Sequence, residues 1–217
     1  MKSVLIIGMG QFGKHLAMKM QELGNYVMVV DCDEDKIAEQ LTDFPDAQIG
    51  DCTNEAVLKA LGVENFDICF VTIGENFQSS LIITLLLKKL GAKFVVAKAW
   101  QDVQEQLLRT IGADEVIFPE RELSEKLAMR YSAENIFDYI YLTGEFSLYE
   151  IPIRKEWIGH TVMEIDVRKK YKINIIAIKK GNTLQPMPGG LYEFEKGDHL
   201  VVIGHSSDVF KLTAKME

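Results

Sequence analysis

The sequence predicts an α/β fold: a doubly wound parallel sheet followed by a second, small α+β domain. Three observations predict it. A short apolar run, Val4 to Ile7, feeds directly into Gly8, Gly10 and Gly13 at Gly-x-Gly-x-x-Gly spacing. Strand-like and helix-like segments then alternate as far as Phe118, and Pro119 closes the alternation. From Phe146 onward short strands with hairpin punctuation replace that pattern.

The first unit runs from the apolar strand through the glycines and an amphipathic helix to a second strand, Tyr26 to Asp31. Each glycine has its own physical task. Gly8 permits the tight turn out of the strand, Gly10 leaves no side chain between the backbone and a phosphate, and Gly13 lets the helix pack close to the sheet. Free amides and the positive end of the helix dipole favour an anion there without any lysine or arginine. Asp31 stands 18 residues past Gly13 and closes the second strand, where a carboxylate can accept both ribose hydroxyls of a dinucleotide or adenine nucleotide. Asp31 and Asp33 would repel a 2′-phosphate, which disfavours NADP.

The alternation continues with an acidic helix from Asp33, a strand from Ala47 to Gly50, a helix from Asn54 to Leu61 and a strand from Asp67 to Val71. A long helix from Phe77 to Leu90, a strand from Lys93 to Ala97, a helix from Val103 to Thr110 and a strand from Glu115 to Phe118 complete it. Such a series calls for right-handed crossovers and helices on both faces of the sheet. Leu81, Ile82, Ile83, Leu85, Leu86, Leu87 and Leu90 put apolar groups on nearly every face of the long helix, so one face is expected on the sheet and the other on a second subunit. Glu120 to Phe137 reads as a further helix. The second domain is read as a strand from Ser147 to Ile153, a helical stretch around Met163 to Lys170, a strand from Ile173 to Ile178, a hairpin turn at Lys180-Gly-Asn-Thr183 and a strand from His199 to Ile203. The expected division is 1–119, 120–140 and 141–217.

A chain of 217 residues can bury roughly 70% of its unfolded surface, and its three cysteines lack Cys-x-x-Cys spacing, so no disulfide is expected. Cys32, Cys52 and Cys69 read as small buried hydrophobes at or within strands. Met1 runs almost straight into a strand, which leaves no room for a signal peptide and predicts a cytoplasmic setting. A net charge of −8 opposes a nucleic-acid surface. The longest strongly apolar stretch, Leu81 to Leu87, is far shorter than the roughly 20 residues that span a bilayer, so any membrane part belongs to another chain. An NAD-dependent oxidoreductase would need a positioned acid or base, and His15, His160, His199 and His205 form no recognisable constellation. A redox-sensing transcriptional regulator would need a basic helix-turn-helix module, and none is evident.

Gly8-Met-Gly-Gln-Phe-Gly13, Asp31, Gly50-Asp51-Cys-Thr53, Ile111-Gly-Ala-Asp114, Phe118-Pro-Glu120 and Val202-Ile-Gly-His205 together resemble the RCK family, the regulators of conductance of potassium. The likeness is strongest to the cytosolic regulatory subunits of Ktr/Trk potassium uptake. It implies a Rossmann-like N-terminal domain, a crossover helix that pairs subunits and a C-terminal ligand-sensing domain. It implies homodimers assembled into a ring, commonly an octamer, beneath an integral membrane potassium-translocating subunit.

By that resemblance Asp31 and Asp33 lie at the ribose, Asp51 near the adenine, and Lys98 and Glu120 near the phosphates. The candidate site takes in Gly8, Gly10, Gln11, Phe12, Gly13, Asp31, Cys32, Asp33, Asp51, Cys52, Thr72, Ile73, Gly74, Lys98 and Glu120. ATP-responsive members often carry an arginine where this chain has Gln11, and a neutral amide gives hydrogen bonds without charge, so ATP, ADP, NAD and NADH all stay open. Glu120 would repel phosphate unless a divalent cation sat between them, with a solvated residue at a helix start as the alternative. Asp166 and Arg168, followed by Asn174 and Ile175, resemble the segment through which some RCK C-terminal domains recognise cyclic di-AMP.

Overall fold

The run that ends in glycine forms β1 (Ser3–Ile7), and in this computed structural model Val4, Leu5 and Ile6 are wholly buried, as a central parallel strand requires. The structure describes residues 1–74, 76–132 and 135–214. The order continues α1 (Gln11–Glu22), β2 (Tyr26–Asp31), α2 (Glu34–Ala38), β3 (Gln48–Ile49), α3 (Glu55–Leu61), β4 (Ile68–Val71), α4 (Phe77–Lys89), β5 (Val95–Lys98), α5 (Asp102–Thr110) and β6 (Glu115–Ile117). These strands make one parallel sheet in the order β3-β2-β1-β4-β5-β6. Strand order reverses between β1 and β4, and the carboxyl ends of those two strands open a crevice where ligands of such sheets bind.

Helix starts follow their caps. Asp33 accepts from the amides of Asp35 and Lys36, Asn54 from that of Ala56 and Asn76 from that of Ser79, each leading one helix out of a strand–helix loop. One face of the sheet packs Leu5, Ile7, Cys69 and Val71 against Leu58, Ile83 and Leu87, while the other packs Val4, Ile6 and Val29 against Ala17 and Ile37.

The chain divides into two units, Met1–Arg121 and Glu122–Glu217, and α6 (Pro119–Ser132) begins in the first and runs into the second. The second unit holds β7 (Asp138–Thr143), β8 (Phe146–Pro152), α7 (Val162–Ile165), α8 (Val167–Tyr171), β9 (Ile173–Lys180), β10 (Thr183–Pro186), β11 (His199–His205) and α9 (Ser206–Thr213). Its antiparallel sheet has the order β10-β9-β11-β8-β7, over a core of Trp157, Tyr149, Phe194, Ile151 and Leu200. Gly181, at φ +58°, occupies the first of two loop positions between β9 and β10, as the hairpin signal required.

Four expectations are corrected. The helix expected to reach Phe137 stops at Ser132 within the described residues, and the Phe137 amide instead donates to the Glu150 carbonyl at 2.8 Å. Residues 138–143, partly assigned to the 120–140 segment, pair with β8 as an edge strand. The helical stretch around Met163 to Lys170 breaks at Asp166, which takes a left-handed conformation with φ +49° and splits it into α7 and α8. No helix was expected after His205, yet α9 follows it directly, with the His205 ring accepting from the Ser207 amide.

Candidate nucleotide site at the end of the first strand

Gly8 turns the chain out of β1 at φ +105°, and its amide donates to the Val30 carbonyl at 2.8 Å. Its carbonyl accepts the Thr72 hydroxyl at 2.6 Å, which ties the glycine turn to the end of β4. A Cβ built on Gly13 would stand 2.0 Å from the Gly8 oxygen, so only glycine lets α1 approach this closely. Gly10 caps α1 in extended conformation with no side-chain bond, and a Cβ there would meet nothing within 4 Å. The helical ladder begins with the Lys14 amide on the Gly10 carbonyl, which leaves the amides of Gln11, Phe12 and Gly13 outside it. Open space in front of orphan amides at the positive end of a dipole suits an anion.

Asp31 is 8% exposed and already partnered. One carboxylate oxygen accepts the Met9 amide at 2.6 Å and the other the Asp33 amide at 3.0 Å. Asp31 therefore braces the glycine loop as well as facing the crevice, and each oxygen keeps a second lone pair. Asp33 spends one oxygen on the first turn of α2 and lies 3.5 Å from Lys36. Asp51 closes a local turn on Thr53, whose hydroxyl and amide hold its carboxyl below the usual range. Ile73 and Gly74 follow Thr72 in the loop after β4, with Ile73 close against Gly8.

Cys52 is buried as expected, and burial pushes its thiol up to about 12. Cys32 is exposed, against expectation, because it lies just past the end of β2 where the sheet no longer covers it. Burial and the neighbouring Asp31 charge raise its thiol too, so it is no ready nucleophile.

Lys98, at the end of β5, is 9% exposed. Its ammonium pairs with Glu120 at 2.6 Å and lies 5.5 Å from the centre of the Phe12 ring, on the first turn of α1. Burial works against the charge of Glu120, but Lys98 outweighs that and holds its carboxyl below the usual range. Among the described residues no group of three or more His, Cys, Asp or Glu side chains is placed to hold a metal ion.

In the second unit the Arg168 guanidinium donates to the Asn174 side-chain oxygen at 2.7 Å. Two hollows meet at this pair. One, of about 320 Å³, is also lined by Phe146, Lys172 and Ile203, and the other, of about 280 Å³, by Asp166, Ile175 and Met163. All four residues singled out in this segment therefore line one hollow. His199 pairs with Glu150, and His205 with Glu145, each within the sheet's own packing.

Two family models cover nearly the whole chain: the TrkA-N domain matches residues 4–119 and the TrkA-C domain residues 147–216. The chain belongs to the TrkA-type RCK family. It is 40% identical over 215 residues to Ktr system potassium uptake protein C of Bacillus subtilis (strain 168), covering 99% of this chain and 97% of that relative. It is 33% identical over 208 residues to Ktr system potassium uptake protein A of the same organism, covering 96% and 94%. Among solved structures, the GsuK channel matches with a TM-score of 0.72 at 21% identity over 99% of this chain and 39% of that one. The same channel bound to NAD matches with a TM-score of 0.67 at 21% identity, over 95% of this chain and 38% of that one. These likenesses show that the RCK fold is shared.

The RCK glycine loop was fully legible in the sequence, whereas two of its supports were not. The Thr72 hydroxyl on the Gly8 carbonyl joins residues 64 apart, and Lys98 meets Phe12 and Glu120 only because β5 ends where α1 and α6 begin. No local pattern carries either contact.

Proposed function

We propose that this RCK chain is the nucleotide-sensing regulatory subunit of a Ktr-type potassium-uptake system and acts on an integral membrane potassium-translocating partner. The observation that carries the nucleotide part is the bare helix end at Gly10, with three orphan amides and Asp31 at the neighbouring strand end. Full-length identity to Ktr system proteins supports the system to which it belongs.

In this reading the pyrophosphate of an adenine nucleotide rests on the Gln11, Phe12 and Gly13 amides. Asp31 and Asp33 hold the ribose, Asp51 and Cys52 border the base, and Lys98 stands at the distal phosphate end. NAD, NADH, ADP and ATP share the adenosine diphosphate moiety that these groups recognise. Lys98 pairs with Glu120, and a divalent cation between Glu120 and a terminal phosphate would offset the repulsion between them. In the second unit the Arg168–Asn174 pair would hold the phosphates of a ligand such as cyclic di-AMP, with Ile175 as an apolar wall.

No helix among the described residues is long and apolar enough to cross a membrane, so the membrane part is assigned to the partner. Copies would assemble as dimers within a ring, probed by an octamer-sized mass in solution. Ile82, Leu85, Val103 and Leu107 are exposed on the adjoining helices α4 and α5 and supply an apolar face for that assembly.

Calorimetric titration of the full chain with ATP, ADP, NAD and NADH tests the site. At least one is expected to bind, and Asp31→Ala is expected to weaken it at least about tenfold, by loss of the ribose contact and of the Met9 brace. Failure of all four to bind overturns the nucleotide reading. Co-reconstitution with the membrane partner in vesicles tests the rest, the expected result being potassium flux that changes with nucleotide.

A further inference from the structure

We propose that Ser207, His205 and Glu145 form a nucleophilic serine site in the second unit, competent to take the acyl group of a short-chain carboxylic ester. The inference stands apart from the nucleotide reading above.

Strand β11 ends at His205 and α9 begins at Ser206 with no residue between them, so the chain turns sharply from strand into helix. Ser207 is exposed in the first turn of that helix, and its hydroxyl lies 2.9 Å from Nδ1 of His205. The Ser207 amide also points at Nδ1, from 3.2 Å, and an amide can only donate. Nδ1 therefore carries the lone pair and Nε2 the proton, which is directed at the Glu145 carboxylate in the turn between β7 and β8. The Phe146 ring stands edge-on to the imidazole at 5.6 Å, and Phe146 pairs with His205 across the sheet. Tautomer and ring plane are both fixed. Nucleophile, base and orienting carboxylate stand in the sequence of a serine triad, with the two ring nitrogens exchanged.

The neighbouring serine is a control within the chain. Ser206 donates its hydroxyl to the Glu145 carbonyl at 2.9 Å and accepts that of Tyr149 at 2.8 Å, so it has no base. The Asp208 amide, next after Ser207, belongs to the first turn of α9, where amides lack an intrahelical acceptor. An amide in that place is the donor an oxyanion requires, and the positive end of the helix dipole favours the same charge. The Asp208 carboxylate itself lies 3.6 Å from Lys211. Phe146 and Gly204 also line the hollow of about 320 Å³ described above, so the group borders a space with apolar walls.

In the acylation step the Ser207 Oγ bonds to the ester carbonyl carbon while its proton passes to Nδ1 of His205. Collapse of the tetrahedral oxyanion breaks the bond to the alkoxide, which leaves with the proton from Nδ1, and the acyl group stays on Ser207. Water then repeats the sequence and releases the carboxylic acid and the free serine. Glu145 touches no substrate and is a positioning residue for the imidazole.

A fluorophosphonate tests the nucleophile, because the Ser207 Oγ would bond to phosphorus as fluoride leaves. In the full chain, peptide mass spectrometry is expected to find Ser207 labelled at least about tenfold faster than Ser206 or any other serine. His205→Ala is expected to slow that labelling at least about tenfold, and added imidazole to restore part of the rate, which a misfolded chain could not do. Glu145→Gln is expected to slow it about tenfold in the parent and less than about twofold in the His205→Ala chain, since Glu145 acts through the ring. Ser207→Ala keeps the amide on Nδ1 and is expected to lower the release of 4-nitrophenol from 4-nitrophenyl acetate at least about tenfold. The proposal is overturned by label spread evenly over the serines, by Ser207 labelling indifferent to His205→Ala or not raised by imidazole, by an equal Glu145→Gln effect without His205, or by ester cleavage unchanged in Ser207→Ala. None of these outcomes bears on nucleotide binding.

Discussion

Gly13→Ala puts the packing of α1 on the sheet to a quantitative test. The added Cβ would stand 2.0 Å from the Gly8 oxygen and 2.7 Å from the Thr72 hydroxyl. Neither can yield freely, because the Gly8 carbonyl accepts that hydroxyl at 2.6 Å and the Gly8 amide is held by Val30 at 2.8 Å. A carbon–oxygen contact needs about 3.3 Å, so the start of α1 must retreat by roughly 1.3 Å. Overpacking of this kind costs about 1–3 kcal/mol, and loss of the Thr72 bond adds about 1. Alanine returns about 1 kcal/mol through helix propensity, for a net loss of about 1–3 kcal/mol. Gly10→Ala is the control: its Cβ meets nothing, so stability should fall by no more than about 1 kcal/mol, while the methyl stands where phosphate must come and nucleotide affinity drops at least about tenfold. Urea unfolding followed at Trp100, with Trp157 replaced by Phe to silence the second unit, measures both. An unchanged midpoint for Gly13→Ala, or a larger loss for Gly10→Ala than for Gly13→Ala, would refute the packing argument.

Two further predictions concern acid stability and assembly. Burial opposes the charge of Asp114, but Lys88 at 2.8 Å and the Val95 amide at 2.7 Å outweigh it and hold the carboxyl below the usual range. A carboxyl depressed in the folded state contributes stability that is fully present above its unfolded value of about 3.9 and is lost as pH falls through the folded value, so stability should decline below about pH 4 and Asp114→Asn should flatten that slope. An equal slope in parent and variant would contradict it. Leu85→Asp, at a side chain 52% exposed on α4, should lower the mass seen by light scattering while leaving the urea midpoint within about 0.5 kcal/mol of the parent, and an unchanged mass would remove this face from the assembly.

The first unit was legible because each of its signals is local. The apolar runs that became β1, β4 and β5 are buried on both faces, so their sequences need no alternation to read as strands, and Asn54 and Asn76 mark helix starts directly. Edge strand β7 was missed for the opposite reason. Its residues from Ile140 to Thr143 are exposed and alternate in no useful way, so they carry β propensity without a buried face to announce it. Helix α9 did leave a signal in Val209 and Leu212, buried three apart, but its cap is a histidine rather than the usual hydroxyl or amide residue. The break at Asp166 was hidden because a left-handed aspartate looks like any other in sequence. The resemblance sets Lys98 and Glu120 separately near the phosphates, since a contact between residues 22 apart depends on where β5 and α6 meet.

Regulation asks more of the site than affinity. A nucleotide that bound two states of the assembly equally would stabilise both and shift neither. The differential contact must lie where ligand touches an element that leaves the nucleotide unit, and α6 is the element that begins in the first unit and continues into the second. Glu120 sits in its first turn and pairs with Lys98, whose ammonium lies 5.5 Å from the centre of the Phe12 ring at the start of α1. A tenfold preference between states corresponds to about 1.4 kcal/mol, within reach of one charge-assisted contact. Linkage then fixes the reciprocal observation: if nucleotide alters how this chain engages its membrane partner, binding of that partner must alter nucleotide affinity by the same factor, and an affinity unmoved by the partner would leave the nucleotide a structural ligand rather than a signal.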